Sequence, residues 1–273
     1  MPQQTQLYIV ASRHPRVGKT LFARLLIEFL RTGGRPLVGY DLDPREPALA
    51  GCFPDLVWPV DIADTRGQMS PFDRILADHW RTTVIDLGQG LFDHFFKVMT
   101  EIGFEDEARQ KSIQPVVLFI TDAAPFTAQT YAELRRRLSR TTFVPVHNEA
   151  ASFMIIAQDF PASSPKYDTI RVPRLSPIVR GVIDRPGFSF STYMAQQPGG
   201  PTEVHSWIGQ IFAEFRALEL QLLIGELEST LRGGGKGQVR RKQLIARARA
   251  PRSRIRANGL RSSRACAPGR RAF

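Results

Sequence analysis

Cysteine is nearly absent from this chain. Cys52 and Cys266 lie far apart with no ligand spacing around either, which argues against a disulfide framework or a cysteine-based zinc site. Long apolar runs are missing as well, since none reaches the 18 residues that mark a membrane-crossing helix. Residues 1–6 lack the basic and apolar regions of a secretion signal, so the expected location is cytoplasmic. Acidic residues are missing from one segment: 232–273 holds 14 Lys or Arg and no Asp or Glu. The other 231 residues carry 23 basic and 26 acidic side chains, a net of −3, so the overall +11 belongs to the end of the chain. His79, His94, His147 and His205 show no metal spacing, and no serine sits in a Gly-x-Ser-x-Gly elbow.

What is present is an alternation of apolar runs and helix-length segments. Strands are predicted at 7–11, 36–41, 83–87, 116–121, 142–147 and 169–172. They are rich in Val, Ile, Leu and Phe, as strands covered on both faces are. Helices are predicted between and after them at 19–32, 70–80, 91–102, 126–139 and 204–231, the first ended by Gly33-Gly34. Strand, helix and strand repeated in this way imply right-handed crossovers and an α/β fold: a doubly wound, mainly parallel sheet with helices on both faces. The last predicted helix sets Trp207, Ile208, Ile211, Phe212, Phe215, Leu218, Leu222 and Leu223 at largely helical spacing, fit to pack on the sheet. The expected organisation is one domain over 1–231 and a basic tail over 232–273. Beyond the glycines at 233–235 the tail has few large apolar residues to offset chain entropy, so it is predicted disordered.

The first strand runs into Ser12-Arg13-His14-Pro15-Arg16-Val17-Gly18-Lys19-Thr20 and then a helix, the context of a phosphate-binding loop. The residues Arg16, Val17, Gly18, Lys19, Thr20 and Leu21, at the positive end of that helix, are expected to surround a polyphosphate. Lys19 is expected to reach its β- and γ-phosphates, and the Thr20 hydroxyl to ligate Mg²⁺. The loop lacks the opening glycine of the common pattern; Arg13 stands there. Asp41 and Asp43 lie at the end of the second strand, where carboxylates suit Mg²⁺ coordination and orientation of an attacking water. A helix N-cap by Asp43, with Pro44 at the first helical position, fits the same residues. Asp86 closes another apolar strand, at a Walker-B-type position.

With these motifs in order, the sequence resembles the ParA/MinD family of deviant-Walker ATPases from about residue 7 to 220. The resemblance rests on the loop, on Asp41-Leu42-Asp43-Pro44, Val84-Ile85-Asp86, Phe143-Val144-Pro145-Val146-His147-Asn148 and Ile170-Arg171-Val172-Pro173. It implies ATP and Mg²⁺ as cofactors, Lys19 and Asp43 as the catalytic pair, and Thr20, Asp41 and Asp86 on the metal side. Asn148 and the backbone near Pro173 match positions that read adenine. It further implies a nucleotide-dependent homodimer serving plasmid or chromosome partition, conjugative transfer or cellular positioning, with a protein partner or cargo adaptor.

The family's loop opens Lys-Gly-Gly where this chain has His14, Pro15 and Arg16. The signature lysine is thus a histidine, one amide donor is gone, and an arginine stands where glycine's freedom in φ was used. Arg13 or Arg16 is available to supply charge. A dethiobiotin-synthetase-like ligase and a non-catalytic adaptor stay open as alternatives. Arg135, Arg136 and Arg137 read as the solvated face of a helix or as a DNA contact. The tail reads as a non-specific DNA binder without aromatic stacking before Phe273, or as a stretch with no selected role.

Overall fold

In the computed structural model the described residues are 4–43, 45–62, 65–88, 90–122, 126–151, 168–185, 187–196, 200 and 202–248, with side chains from 63–70, 230 and beyond 231 left aside. The strands are β1 (Thr5–Ala11), β2 (Leu37–Asp41), β3 (Val57–Pro59), β4 (Thr82–Asp86), β5 (Ile113–Thr121), β6 (Thr142–Asn148) and β7 (Ile170–Val172). The helices are α1 (Lys19–Thr32), α2 (Ala48–Cys52), α3 (Thr65–Ala77), α4 (Phe92–Glu101), α5 (Phe104–Gln110), α6 (Thr127–Arg137), α7 (Pro177–Ile183), α8 (Phe190–Ala195) and α9 (Glu203–Ala248).

Successive side chains of a strand point to opposite faces, and here both faces find a core. In β1, Tyr8 and Val10 join one hydrophobic cluster while Leu7, Ile9 and Ala11 join the other. Val84 and Ile85 of β4 divide in the same way, as do Val116 and Val117 of β5. The near-continuous apolar runs of the sequence are therefore strands buried on both sides, as α/β sheets require. One cluster is closed by α1, α2, α7, α8 and the start of α9; the other by α3, α4, α5 and α6. On the first face Phe22 and Phe29 of α1 meet Phe215 and Phe212 of α9 edge to face at 5.3 and 5.4 Å. Burying each such ring contributes roughly 1.5–3 kcal/mol.

Among the described residues the strands form one parallel sheet in the order β3-β2-β4-β1-β5-β6-β7. β1 passes the chain through α1 to β2 on one side, and β4 passes it through α4 and α5 to β5 on the other. Neighbouring strands whose connections leave in opposite directions open a crevice beyond their C-terminal ends. Val10 and Asp86 are register partners there.

The six predicted strands are all present, and β3 is an addition. Its three residues are too few for a period, and only Val57 of them is buried. The short helices α2, α5, α7 and α8 were not predicted either, each burying only one or two side chains. α3 starts five residues before the predicted 70. α9 buries Trp207, Ile208, Ile211, Phe212, Phe215, Leu218 and Leu222 as expected, but Leu223 is 43% exposed. It also runs through the glycines at 233–235 as far as Ala248. Internal glycines cost about 1 kcal/mol each, against the helix-forming Arg, Lys, Gln, Leu and Ala that follow.

The chain divides into two units, Met1–Glu226 and Leu227–Phe273. The predicted tail residues 249–273, including Cys266, lie outside the described residues, as does Pro44. Among the described residues, no helix is long and apolar enough to cross a membrane.

Candidate functional site

The loop between β1 and α1 departs from regular geometry at two residues. Arg16 has φ +58 and Gly18 φ +93, both in the left-handed region. Left-handed residues within such a turn direct backbone N–H groups into a concavity that suits an anion. Glycine adopts this conformation freely; Arg16 does so at roughly 1–2 kcal/mol. Val17 is buried and anchors the loop, whereas Arg13, Pro15 and Arg16 are exposed. The Arg13 guanidinium pairs with Asp93 at 2.8 Å.

Lys19 and Thr20 begin α1. The Lys19 ammonium donates to the His14 carbonyl at 3.1 Å, bridging the loop. Burial lowers its pKa, and the negative charges of Asp86 and Asp43 act in the opposite direction. Leu21, partly buried, turns toward the core with Phe22.

The three strand-end acids have different surroundings. Asp86 is buried, which raises its pKa to about 7; a hydrogen bond from Thr20 lowers it, and the charge of Asp41 raises it. Its Oδ1 has no hydrogen-bond partner among the described residues. Asp41 instead accepts three backbone amides, from Asp43 at 3.1 Å, Leu49 at 2.8 Å and Ala50 at 3.1 Å. Those bonds tie it to the start of α2, yet desolvation still leaves its pKa raised. Asp43 Oδ1 accepts from the amides of Arg45 and Glu46 at 3.2 and 3.3 Å, closing a turn. α2 begins only at Ala48, so Asp41 rather than Asp43 supplies its first amides with an acceptor.

This arrangement suits a hard cation at Thr20 and Asp86, where an oxygen-only donor set includes a buried, unpartnered carboxylate oxygen. Among the described residues no group of three or more His, Cys, Asp or Glu is placed to hold a metal alone. A hard cation held by these two residues would need further oxygen ligands from outside the chain.

Asn148 ends β6, and its side chain lies under the loop. Nδ2 donates to the Val17 carbonyl at 2.8 Å, and Oδ1 accepts the Ala150 amide at 3.1 Å. A Cβ on Gly18 would stand 2.6 Å from Nδ2. The Pro173 carbonyl accepts the Trp207 indole N–H at 2.7 Å, fixing the chain after β7 to α9.

Two further residues belong to the neighbourhood and were not singled out in the sequence. Asp122, next after β5, accepts from the Thr127 hydroxyl and lies 3.8 Å from His14 Nε2. The signal was present, since Asp122 is another carboxylate at the C-terminal end of an apolar strand. Gly88 touches the turn after β2: a Cβ on it would sit 2.5 Å from the Leu42 carbonyl and 2.8 Å from Asp43 Cα. Arg135, Arg136 and Arg137 occupy the last turn of α6, and the latter two line a surface depression with Arg13 and Asp93.

No protein-family model and no curated protein matches the sequence. Solved structures do match. The MinD cell division protein of Aquifex aeolicus superposes with a TM-score of 0.50 at 12% identity, over 78% of this chain and 97% of that one. The MinC:MinD cell division complex of the same organism gives 0.49 at 11%, over 78% and 96%. An Archaeoglobus fulgidus nucleotide-binding protein in complex with ADP gives 0.39 at 14%, over 64% and 84%. At such identity the first of these speaks for fold alone. Together with the parallel sheet and the loop that opens α1, it gives this chain a MinD-like α/β fold.

Proposed function

We propose that this protein binds ATP with Mg²⁺ at the loop over residues 12–20 and acts as a nucleotide-dependent dimeric switch with weak hydrolysis. The observation that carries the reading is the buried Asp86 Oδ1, unpartnered beside the Thr20 hydroxyl where α1 starts. A buried polar oxygen without a partner costs roughly 1–3 kcal/mol or more, and a bound cation removes that cost. Lys19 would hold the β- and γ-phosphates, Thr20 and Asp86 would face the metal, and Asp43 would orient the attacking water, while Asp41 braces the turn that carries Asp43. Mg²⁺, when bound, neutralises charge on the phosphate oxygens.

Calorimetry of the full chain with ATP, with and without Mg²⁺, tests the site. Lys19→Ala is expected to lose about 100-fold in affinity, the worth of a charge-assisted bond to phosphate. Equal binding by wild type and variant would remove the assignment. Sizing with and without ATP–Mg²⁺ tests the switch: a dimer only with nucleotide supports it.

The altered opening of the loop at His14, Pro15 and Arg16 favours a second reading, an adaptor with little turnover. In that case nucleotide leaves the oligomeric state unchanged. ATP-dependent carboxylation of a diamine would instead reveal a ligase. Partition, conjugative transfer and cellular positioning are the roles this switch serves, with a protein partner or cargo adaptor. The basic segment 232–273 adds non-specific DNA binding. Its deletion should then flatten the dependence of DNA affinity on salt, and an unchanged slope would dismiss the DNA role.

A further inference from the structure

We propose that Asn148 is a positioning residue for the phosphate loop, setting the Val17–Gly18 peptide so that its N–H faces the anion, whichever base the nucleotide carries. The inference rests on the proposed triphosphate site and adds how that site is built.

Both ends of the Asn148 side chain are committed to backbone. Nδ2 donates to the Val17 carbonyl and Oδ1 accepts the Ala150 amide. A carbonyl can only accept and an amide N–H can only donate, so the two partners fix which end of the side chain is which. The residue is also buried, at 7% exposed, and closely packed: Gly18, at φ +93, has no room for a Cβ against Nδ2.

The consequence follows from peptide planarity. In a trans peptide the C=O of one residue and the N–H of the next point in opposite directions. By drawing the Val17 carbonyl down toward β6, Asn148 turns the Gly18 N–H up toward the mouth of the loop. That donor carries extra weight here, because Pro15 has removed another from the same loop. Side-chain hydrogen bonding spent on the loop therefore governs affinity for the polyphosphate rather than choice of base.

The test uses the full chain and Asn148→Asp, which keeps shape but replaces the donor with an oxygen facing the Val17 carbonyl. Asn148→Ala serves as a second variant should the first not fold. Calorimetry is run with ATP, GTP and inorganic tripolyphosphate, each with Mg²⁺. The expected result is that all three weaken by the same factor, about tenfold or more, with the ATP-to-GTP ratio unchanged. Loss confined to ATP, with tripolyphosphate binding intact, would overturn the proposal and make Asn148 a reader of adenine.

Amide hydrogen exchange on the ligand-free protein gives a readout independent of nucleotide. The Phe22 amide, which donates to the Gly18 carbonyl at 3.0 Å, should exchange faster in the variant while β5 amides stay protected. Unchanged exchange at the loop would also overturn the proposal. If the wild type binds none of the three ligands, the nucleotide reading fails, and hydrogen exchange still decides the role of Asn148.

Discussion

The two halves of the phosphate loop make opposite use of the fold. The second half, Val17 to Thr20, is held from below and behind: Val17 is buried, Gly18 lies against Asn148, and Thr20 bonds to Asp86. The first half, His14 to Arg16, is partly or fully exposed and held more lightly, with His14 3.8 Å from Asp122 and Arg16 in a left-handed conformation suited to glycine. The residues that depart from the ParA/MinD loop pattern all lie in the lightly held half. The half that the fold holds firmly is thus the half that keeps the resembled pattern.

The sharpest way to probe the held half is through Asp86. Its folded-state pKa of about 7 is raised above the ordinary carboxylate value, so the folded protein binds this proton more tightly than the unfolded chain. This contribution to stability is present below about pH 4 and is lost as pH rises through about 7. Asp86→Asn removes the titration and should be more stable than wild type at pH 8, by on the order of 4 kcal/mol at most, since one pKa unit is worth about 1.4 kcal/mol. Denaturant unfolding between pH 4 and 8 measures it. Parallel stability curves for the two proteins would contradict the burial argument.

Next comes Gly18→Ala, which combines a disfavoured φ with a 2.6 Å approach to Asn148. A loss of about 3 kcal/mol in stability is expected, together with loss of nucleotide binding. A variant that retained both would mean that the loop relaxes freely.

The lightly held half should respond much less. Arg16→Gly relieves the left-handed strain but frees the unfolded chain, so a net gain of roughly 0.5–1 kcal/mol is expected from melting curves. His14→Ala should shift stability by less than about 0.5 kcal/mol, because its pairing with Asp122 is long and partly exposed. If the same variant nevertheless abolished ATP-dependent dimerisation, His14 would be assigned to the contact between subunits.

The strands and the motif positions were legible because they rest on strong local signals. Buried parallel strands read as apolar runs, and the acids at their ends stand out against them. α1 was read to the residue, since a glycine precedes it and two glycines follow. β3 and the short helices escaped because so few of their side chains are buried that no period develops. The amide contacts of Asp41 and the seat of Asn148 beneath Val17 were hidden for another reason. Both join segments separate in sequence, the latter pair by 131 positions, and only the assembled sheet brings them together.

Gly88 carries a mechanical consequence. With no side chain, it lets the backbone after β4 rest on the turn that bears Asp43, and the Leu42 amide donates to the Asp86 carbonyl at 3.0 Å. Asp86 and Asp43 therefore ride on one interlocked pair of strand ends. A shift at either is passed by contact to the other, so the spacing between the two carboxylates holds.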